Sequence, residues 1–371
     1  MKEQVNHIDI FRYMEEWAPR KLAYDWDSVG LQVGSYNHKV KKVMVTLDVM
    51  ESVVDEAIAE SVNLIISHHP MLFKPLNQLN LDTPKGRMIK KLVENDITVY
   101  SAHTNLDIAS GGVNDILCEY IGIENTEVLL KEKAEHLFKV VVYVPETHAD
   151  VVREALAKSG AGHIGNYSHC TFQSDGQGTF KPLEGTNPFI GEEGQLEYVD
   201  EVKIETIAQE GKLSETISEL VKAHPYEEPA YDVFPLRNEG QQYGIGRIGT
   251  LPVAMSLKEL GEKVKQELEM EHIRITGDFN KKVRKVAVLG GSGEKYIHLA
   301  KQRGADVYIT GDMSFHYAQD AWQMGLSVID AGHYIEKVMK DRTKDYLNKR
   351  LKDLSIDVIT SNTKTDPFQF I

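Results

Sequence analysis

The sequence predicts an α/β protein in which two similar halves form one core domain, interrupted near residues 132–238 by an inserted ferredoxin-like α+β domain. Three observations predict this: a β-α-β pattern that occurs twice, a β-α-β-β-α-β succession between the two copies, and His, Asp and Glu residues placed at the ends of strand-like runs. At 371 residues the chain exceeds what one hydrophobic core usually organises. The expected layout is therefore 1–131 for the first half of the core, 132–238 for the insert and 239–371 for the second half.

The repeat comes first. From Lys42 the chain runs KVMVTLD, a helix-like ESVVDEAIAESV, then NLIISHH. From Lys285 it runs KVAVLGG, a helix-like SGEKYIHLAKQRG, then ADVYITGD. Val43 to Ser67 and Val286 to Thr310 both span 24 positions, each an apolar strand, an amphipathic helix and a second apolar strand. Downstream, ITVYSAHTNLD (97–107) aligns with LSVIDAGHYIE (326–336), which sets Asp107 opposite Glu336 and Thr104 opposite His333. Ahead of the repeat, Ile8, Phe11 and Met14 fall at helical spacing among Arg12, Glu15 and Glu16, the pattern of an amphipathic helix.

Within the insert, LFKVVVYVP (137–145) reads as a strand and 147–159 as a helix capped by Thr147. A strand over Tyr167–Gln173, a Gly- and Pro-rich stretch at 174–194, a strand at 196–208, a helix at 212–223 and a strand at 230–236 complete the ferredoxin-like order. The charged KEKAEH run precedes the insert, and the polar, glycine-rich RNEGQQYGIGRIG reads as the return linker.

Composition excludes several classes. The net charge of −14 disfavours broad contact with nucleic-acid phosphates or anionic lipid. Two distant cysteines, Cys118 and Cys170, make no disulfide framework, and neither a signal-peptide core nor a run of roughly 18 apolar residues is present. The expectation is a cytoplasmic protein without a membrane partner. There is no GxxxxGK[ST] loop, no GxSxG elbow and no cysteine placed as a nucleophile.

The chemistry lies at strand ends, where open α/β sheets hold their ligands. His68-His69 follow IIS, and Pro70 forces a turn that lets both imidazoles face one cavity. HTNLD supplies Asp107 as a carboxylate ligand, and His103 as a ligand, a donor to one, or a proton carrier. GHYIE places His333 and Glu336 three apart, on one helical face. Each motif alone has an ordinary structural reading, as hydrogen-bonding loop histidines, an Asx turn or a chance helical pair. Their conjunction predicts a metal site of His68, His69, Asp107, His333 and Glu336. Five N/O ligands exceed one tetrahedral ion, so a carboxylate bridging two divalent ions (Zn, Mn, Fe or Co) is expected.

Other motifs carry less. Asp312 and His316 in GDMSFH occupy the position equivalent to the HH end, as supporting or catalytic groups. GGSGE is read first as a tight βα turn, then as a turn presenting backbone N–H groups to an anion. Asp27, in DWDSVGLQVGS, lies in a loop ordered against the core and is read first as a cap, then as a holder of a ligand histidine. HPYEEP reads as a helix-terminating turn.

Residues 25–35, SHHPMLF, SAHTNLDIASGGVND, GGSG, TGD with His316, and GHYIE together resemble the Nif-three-like proteins, also called GTP cyclohydrolase 1 type 2 homologues. The resemblance covers nearly the whole core. In the insert, TFQSDGQGTFKPLEGTNPFIG and HPYEEPAYDV are similar to the P-II/CutA-like domain of the longer bacterial members. It implies a dinuclear centre on the five ligands named above and a toroidal homohexamer with its metal sites facing an internal cavity. Many members space the last His and Glu four apart, whereas here they are three apart, which leaves open whether Asp107 or Glu336 bridges. The cyclohydrolase name implies metal-activated water attacking the imidazole ring of GTP, with release of formate, and His103 or His316 as proton carrier. The expected function is thus a metal-dependent hydrolase of a nucleotide or related small molecule. Its rival is a non-catalytic metal-binding or regulatory scaffold whose insert binds a ligand or partner.

Overall fold

A computed structural model describes residues 5–371 as two compact units, one of residues 5–133 with Tyr243–Ile371 and the other of Ala134–Gln242. In chain order the strands are β1 (Gly30–Val33), β2 (Lys42–Thr46), β3 (Leu64–Ser67), β4 (Thr98–Ser101), β5 (Glu124–Pro145), β6 (Thr171–Phe180) and β7 (Glu197–Gln209). They continue with β8 (Tyr231–Ser256), β9 (Arg274–Thr276), β10 (Lys282–Ser292), β11 (Val307–Gly311), β12 (Ser327–Asp330) and β13 (Asp357–Thr360).

The first unit repeats one four-strand topology, with a fifth strand that is parallel in the first sheet (β13 on β2) and antiparallel in the second (β8 on β10). Its first sheet has the order β1-β4-β3-β2-β13, with β2, β3 and β4 parallel and β1 antiparallel to β4. Its second has β9-β12-β11-β10-β8, with β10, β11 and β12 parallel and β9 antiparallel to β12. In both halves, then, a short strand that precedes the β-α-β pattern closes the far edge. The sequence reading had placed Gly30–Val33 in a loop. The four-residue β1 is too short for a periodic signal, and its partner, β4, lies about seventy residues downstream.

The parallel strands are apolar on both faces because both faces are covered. Val43, Val45, Leu64 and Ile66 of the first sheet share one core with Val286, Val288, Val307 and Ile309 of the second. Met44, Ile65 and Val99 point the other way, into a core closed by helices Glu51–Ala59 and Pro84–Glu94. Helix His7–Trp17 buries Ile10, Phe11 and Met14, and at its start Asp9 Oδ2 accepts from Asn6 N at 2.9 Å.

In the second unit the order is β5, helix Ala149–Lys158, β6, β7, helix Glu210–Ala223, β8, and the sheet runs β6-β7-β5-β8. Three sequence expectations change here. Thr147 does not cap the first helix; it lies in a 3₁₀ turn, Glu146–His148, and bonds His148 Nδ1 at 2.9 Å. The strand expected at Tyr167–Gln173 spans Thr171–Phe180 and takes in part of the Gly-rich stretch, pairing with β7 along its length. RNEGQQYGIGRIG is not a linker, since it belongs to β8, and the charged KEKAEH run lies within β5. The glycines of β8 mark close backbone approach rather than a turn: a Cβ on Gly244 would lie 1.9 Å from Leu130 O. Among the described residues no helix is long and apolar enough to cross a membrane.

Candidate metal centre

Six side chains converge at the C-terminal ends of the parallel strands. His68 and His69 follow β3, His103 follows β4, Asp107 lies on helix Thr104–Ile108, and His333 and Glu336 lie on the 3₁₀ helix His333–Val338 beyond β12. Ligand atoms within 4.8 Å of one another form three groups: His68, His69 and His103; His69, His333 and Glu336; His68, Asp107 and Glu336. The sequence placed His333 and Glu336 on an α-helix. A 3₁₀ helix eclipses positions three apart, and the two side chains meet at 3.3 Å.

Every imidazole is anchored through Nδ1. His68 Nδ1 pairs with Ala102 O at 2.8 Å, His69 with Asp48 at 2.6 Å, His103 with Asp27 at 2.9 Å and His333 with Asp312 at 2.7 Å. Such partners fix the tautomer and raise the basicity of the other nitrogen. On three rings Nε2 meets the same carboxylate, with Glu336 Oε2 at 3.0 Å from His69, 3.3 Å from His333 and 3.8 Å from His68.

Two buried atoms of the cluster, His68 Nε2 and Asp107 Oδ1, have no hydrogen-bond partner and lie 3.5 Å apart. Orphaned buried polar atoms cost free energy of about 1–3 kcal/mol each, and both are donors a divalent ion accepts. The residues present therefore fit a metal.

Space for the carboxylate comes from the GGSGE motif. A Cβ on Gly291, whose φ is +67°, would stand 2.8 Å from Glu336 Oε1, and one on Gly290 3.1 Å. These glycines end β10 and leave bare backbone against Glu336. Asn114 joins the two halves: its Nδ2 donates to Asp107 O and its Oδ1 accepts from Gly290 N, each at 2.9 Å. Asp312 adopts a left-handed backbone, φ +55°, to bring its carboxylate to His333.

The electrostatics follow from burial of two carboxylates together. Burial, with repulsion from Glu336, pushes Asp107 up to about 8. Burial also works against ionised Glu336, but the facing imidazoles of His333, His68 and His69 outweigh it and hold this carboxyl well below its usual range. Burial lowers His69, yet Asp48 and Glu336 overcome it and raise the ring to about 10. His333 is raised to about 9, chiefly by Glu336. With no ion between them, both imidazoles are protonated at neutral pH, so an entering cation must displace protons and its affinity rises with pH up to that range.

The remaining sequence candidates fall into place around this cluster. Asp27 holds His103 and also accepts from Thr104 N at 3.1 Å and Thr104 Oγ1 at 2.5 Å at the start of the short helix. His316 is exposed on helix Phe315–Gln323, its ring against Phe315, outside the six-residue cluster. Asp48 and Asn114 were not singled out for these contacts, and Gly290 and Gly291 were read as a turn rather than as space for Glu336. The signal that would have found Asp48 is its place after β2, equivalent in the repeat to the end of β10.

Beside His103 stands an exposed aromatic wall. Trp26 is 59% and Phe73 45% exposed, and each ring centroid lies 6.4 Å from that of His103. Trp26 is backed by Tyr24 at 5.4 Å, whose hydroxyl donates to Glu132 at 2.8 Å.

The model of Duf34/NIF3 (NGG1p interacting factor 3) matches residues 5–367. The chain belongs to this family. A Halalkalibacterium halodurans relative named GTP cyclohydrolase 1 type 2 homolog is 50% identical over 368 residues, covering 99% of each chain. A Bacillus subtilis relative of the same name is 48% identical over 373 residues, covering 100% of each. Among solved structures, a Bacillus cereus protein related to NIF3 superposes over the full length of both chains with a TM-score of 0.95 at 50% identity. A Staphylococcus aureus protein does so with a TM-score of 0.78 at 32% identity.

Proposed function

We propose that this NIF3-family chain is a two-metal hydrolase acting on a nucleotide or a related small molecule. The observation that carries the reading is the set of imidazoles anchored at Nδ1, with the Nε2 atoms of His68, His69 and His333 gathered about the buried Glu336 carboxylate. Glu336 occurs in two ligand groups, with His68 and Asp107 in one and with His69 and His333 in the other. That sharing favours Glu336 over Asp107 as the bridging carboxylate. Bound divalent ions supply Lewis acidity, which polarises a substrate and makes water nucleophilic at neutral pH. His103 lies beside His68 and His69 and is held by Asp27, which supports the reading of it as the proton carrier. His316, exposed and outside the cluster, has the lesser claim to that role.

The aromatic wall supports a substrate with a planar ring. Base–aromatic stacking is worth roughly 1–3 kcal/mol, so Trp26→Ala should raise KM roughly 5–150-fold while leaving metal content unchanged. The test is a turnover screen over nucleotides, GTP included, with added Mn, Zn or Fe. If the loaded protein turns over none of them, the centre is a metal-binding scaffold and the hydrolase reading fails.

The second unit is read as a ferredoxin-like insert of the P-II/CutA kind, and the assembly as a homohexamer. The order β-α-β-β-α-β and the sheet β6-β7-β5-β8 support the insert. Because β5 and β8 are neighbours where the chain leaves and re-enters the first unit, joining Lys133 to Tyr243 by a short Gly/Ser turn should give a folded, metal-loaded core. An insoluble or metal-free product would show that the second unit is needed for the core.

A further inference from the structure

The second unit contains a cavity of about 780 Å³ that the metal centre does not use. Its origin lies in strand alternation. Val140, Val142, Val144, Val202 and Ile204 point to the face covered by the two helices, so Tyr143, Glu201 and Lys203 point to the opposite face. That face is roofed by the segment after β6, which contributes Pro182, Pro188 and Phe189 and is closed by a Gly194 N to Pro182 O bond of 2.9 Å.

The walls are aromatic and the polar groups mostly acidic. Phe180 and Phe189 approach Tyr226 at 5.6 and 6.4 Å, and Tyr143 completes the ring lining. Tyr226 donates to Glu201 at 3.1 Å. Gly178 makes room for that carboxylate, since a Cβ there would lie 2.1 Å from Glu201 Oε2. Glu227 and Glu228 also line the cavity, and Glu227 fixes the roof by accepting from Asn187 N at 3.2 Å. Lys203, the basic residue of the lining, is tied to Glu205 at 2.7 Å.

A volume of this size suits a small molecule. Ring faces and carboxylates both attract a cation, and a single lysine already paired with glutamate does not offset three glutamates. We propose that this cavity binds a small organic cation, an ammonium group on an apolar or aromatic body. The site belongs to the second unit alone and does not depend on what the metal centre does.

Three probes of one shape test it on the full chain by calorimetry: tryptamine, tryptophol and indole-3-acetate, which carry the same ring with a positive, neutral or negative tail. Tryptamine should bind at least about tenfold tighter than tryptophol, and indole-3-acetate weakest, the order set by charge and ring attraction. Phe189 is 53% exposed, so Phe189→Ala should fold as the parent does while weakening tryptamine roughly 2–30-fold. The isosteric Glu201→Gln should shrink the tryptamine-to-tryptophol ratio. Equal binding of all three probes, tightest binding of indole-3-acetate, or unchanged tryptamine binding in both variants would overturn the proposal.

Discussion

Glu336→Gln should weaken the binding of both divalent ions by more than about 100-fold while the fold survives. Removing a group that merely orients a metal ligand costs roughly 10–100-fold in affinity, and a carboxylate shared between two ligand groups should cost more. The fold is expected to persist because Gln has the same shape, and the side chain rests against the bare backbone of Gly290 and Gly291. Loss of charge also removes part of what raises His69 and the chief cause that raises His333, leaving Asp48 and Asp312, so both pKa values fall and fewer protons are displaced at neutral pH. Calorimetric titration with Mn and Zn reads both effects. Asp107→Asn is the comparison: Asp107 shares a ligand group with His68 and Glu336 only, so that variant should disturb mainly one ion. Two ions held at parental affinity by Glu336→Gln would exclude the bridge, and loss of both from Asp107→Asn alone would transfer that role to Asp107.

His103→Ala is the second large effect, expected to keep both metals and slow turnover by about 10²–10⁴-fold, the usual contribution of a positioned acid–base group. Asp27 loses one of its partners in this variant but keeps Thr104 N and Oγ1, so the start of helix Thr104–Ile108 should hold. A stability loss of about 1–3 kcal/mol is expected from the weakened buried pair. Metal content separates the possible roles, because His103 also shares a group with His68 and His69. Depletion of an ion would make it a ligand, and parental turnover would remove it from the chemistry.

What the sequence made legible is what repeats locally. The β-α-β pattern and the placing of His68, His69, Asp107, His333 and Glu336 at strand ends are read from periodicity, and the structure brings those five side chains together. The groups that hold them are not legible in this way. Asp48 bonds His69 across 21 positions, Asp27 bonds His103 across 76, and Asn114 reaches Gly290 across 176. Asp27 and Asp312 were weighed as supporting groups from their own motifs, but no local pattern names the histidine that each one bonds. Glycine misled in one place and was ambiguous in another. In β8 it signals close approach to β5 rather than a linker, and at Gly290 and Gly291 it leaves space for Glu336 beyond making a turn. Both readings need the partner that lies opposite.

The measurement that bears most directly on the account is elemental analysis of the purified parent and His68→Ala. His68 is fully buried, its Nε2 has no hydrogen-bond partner, and Asp107 and Glu336 share its ligand group. The account predicts two divalent ions per chain in the parent and depletion of at least one in the variant, with an unchanged circular-dichroism spectrum. A parent without metal, or a variant with undiminished metal, would contradict it.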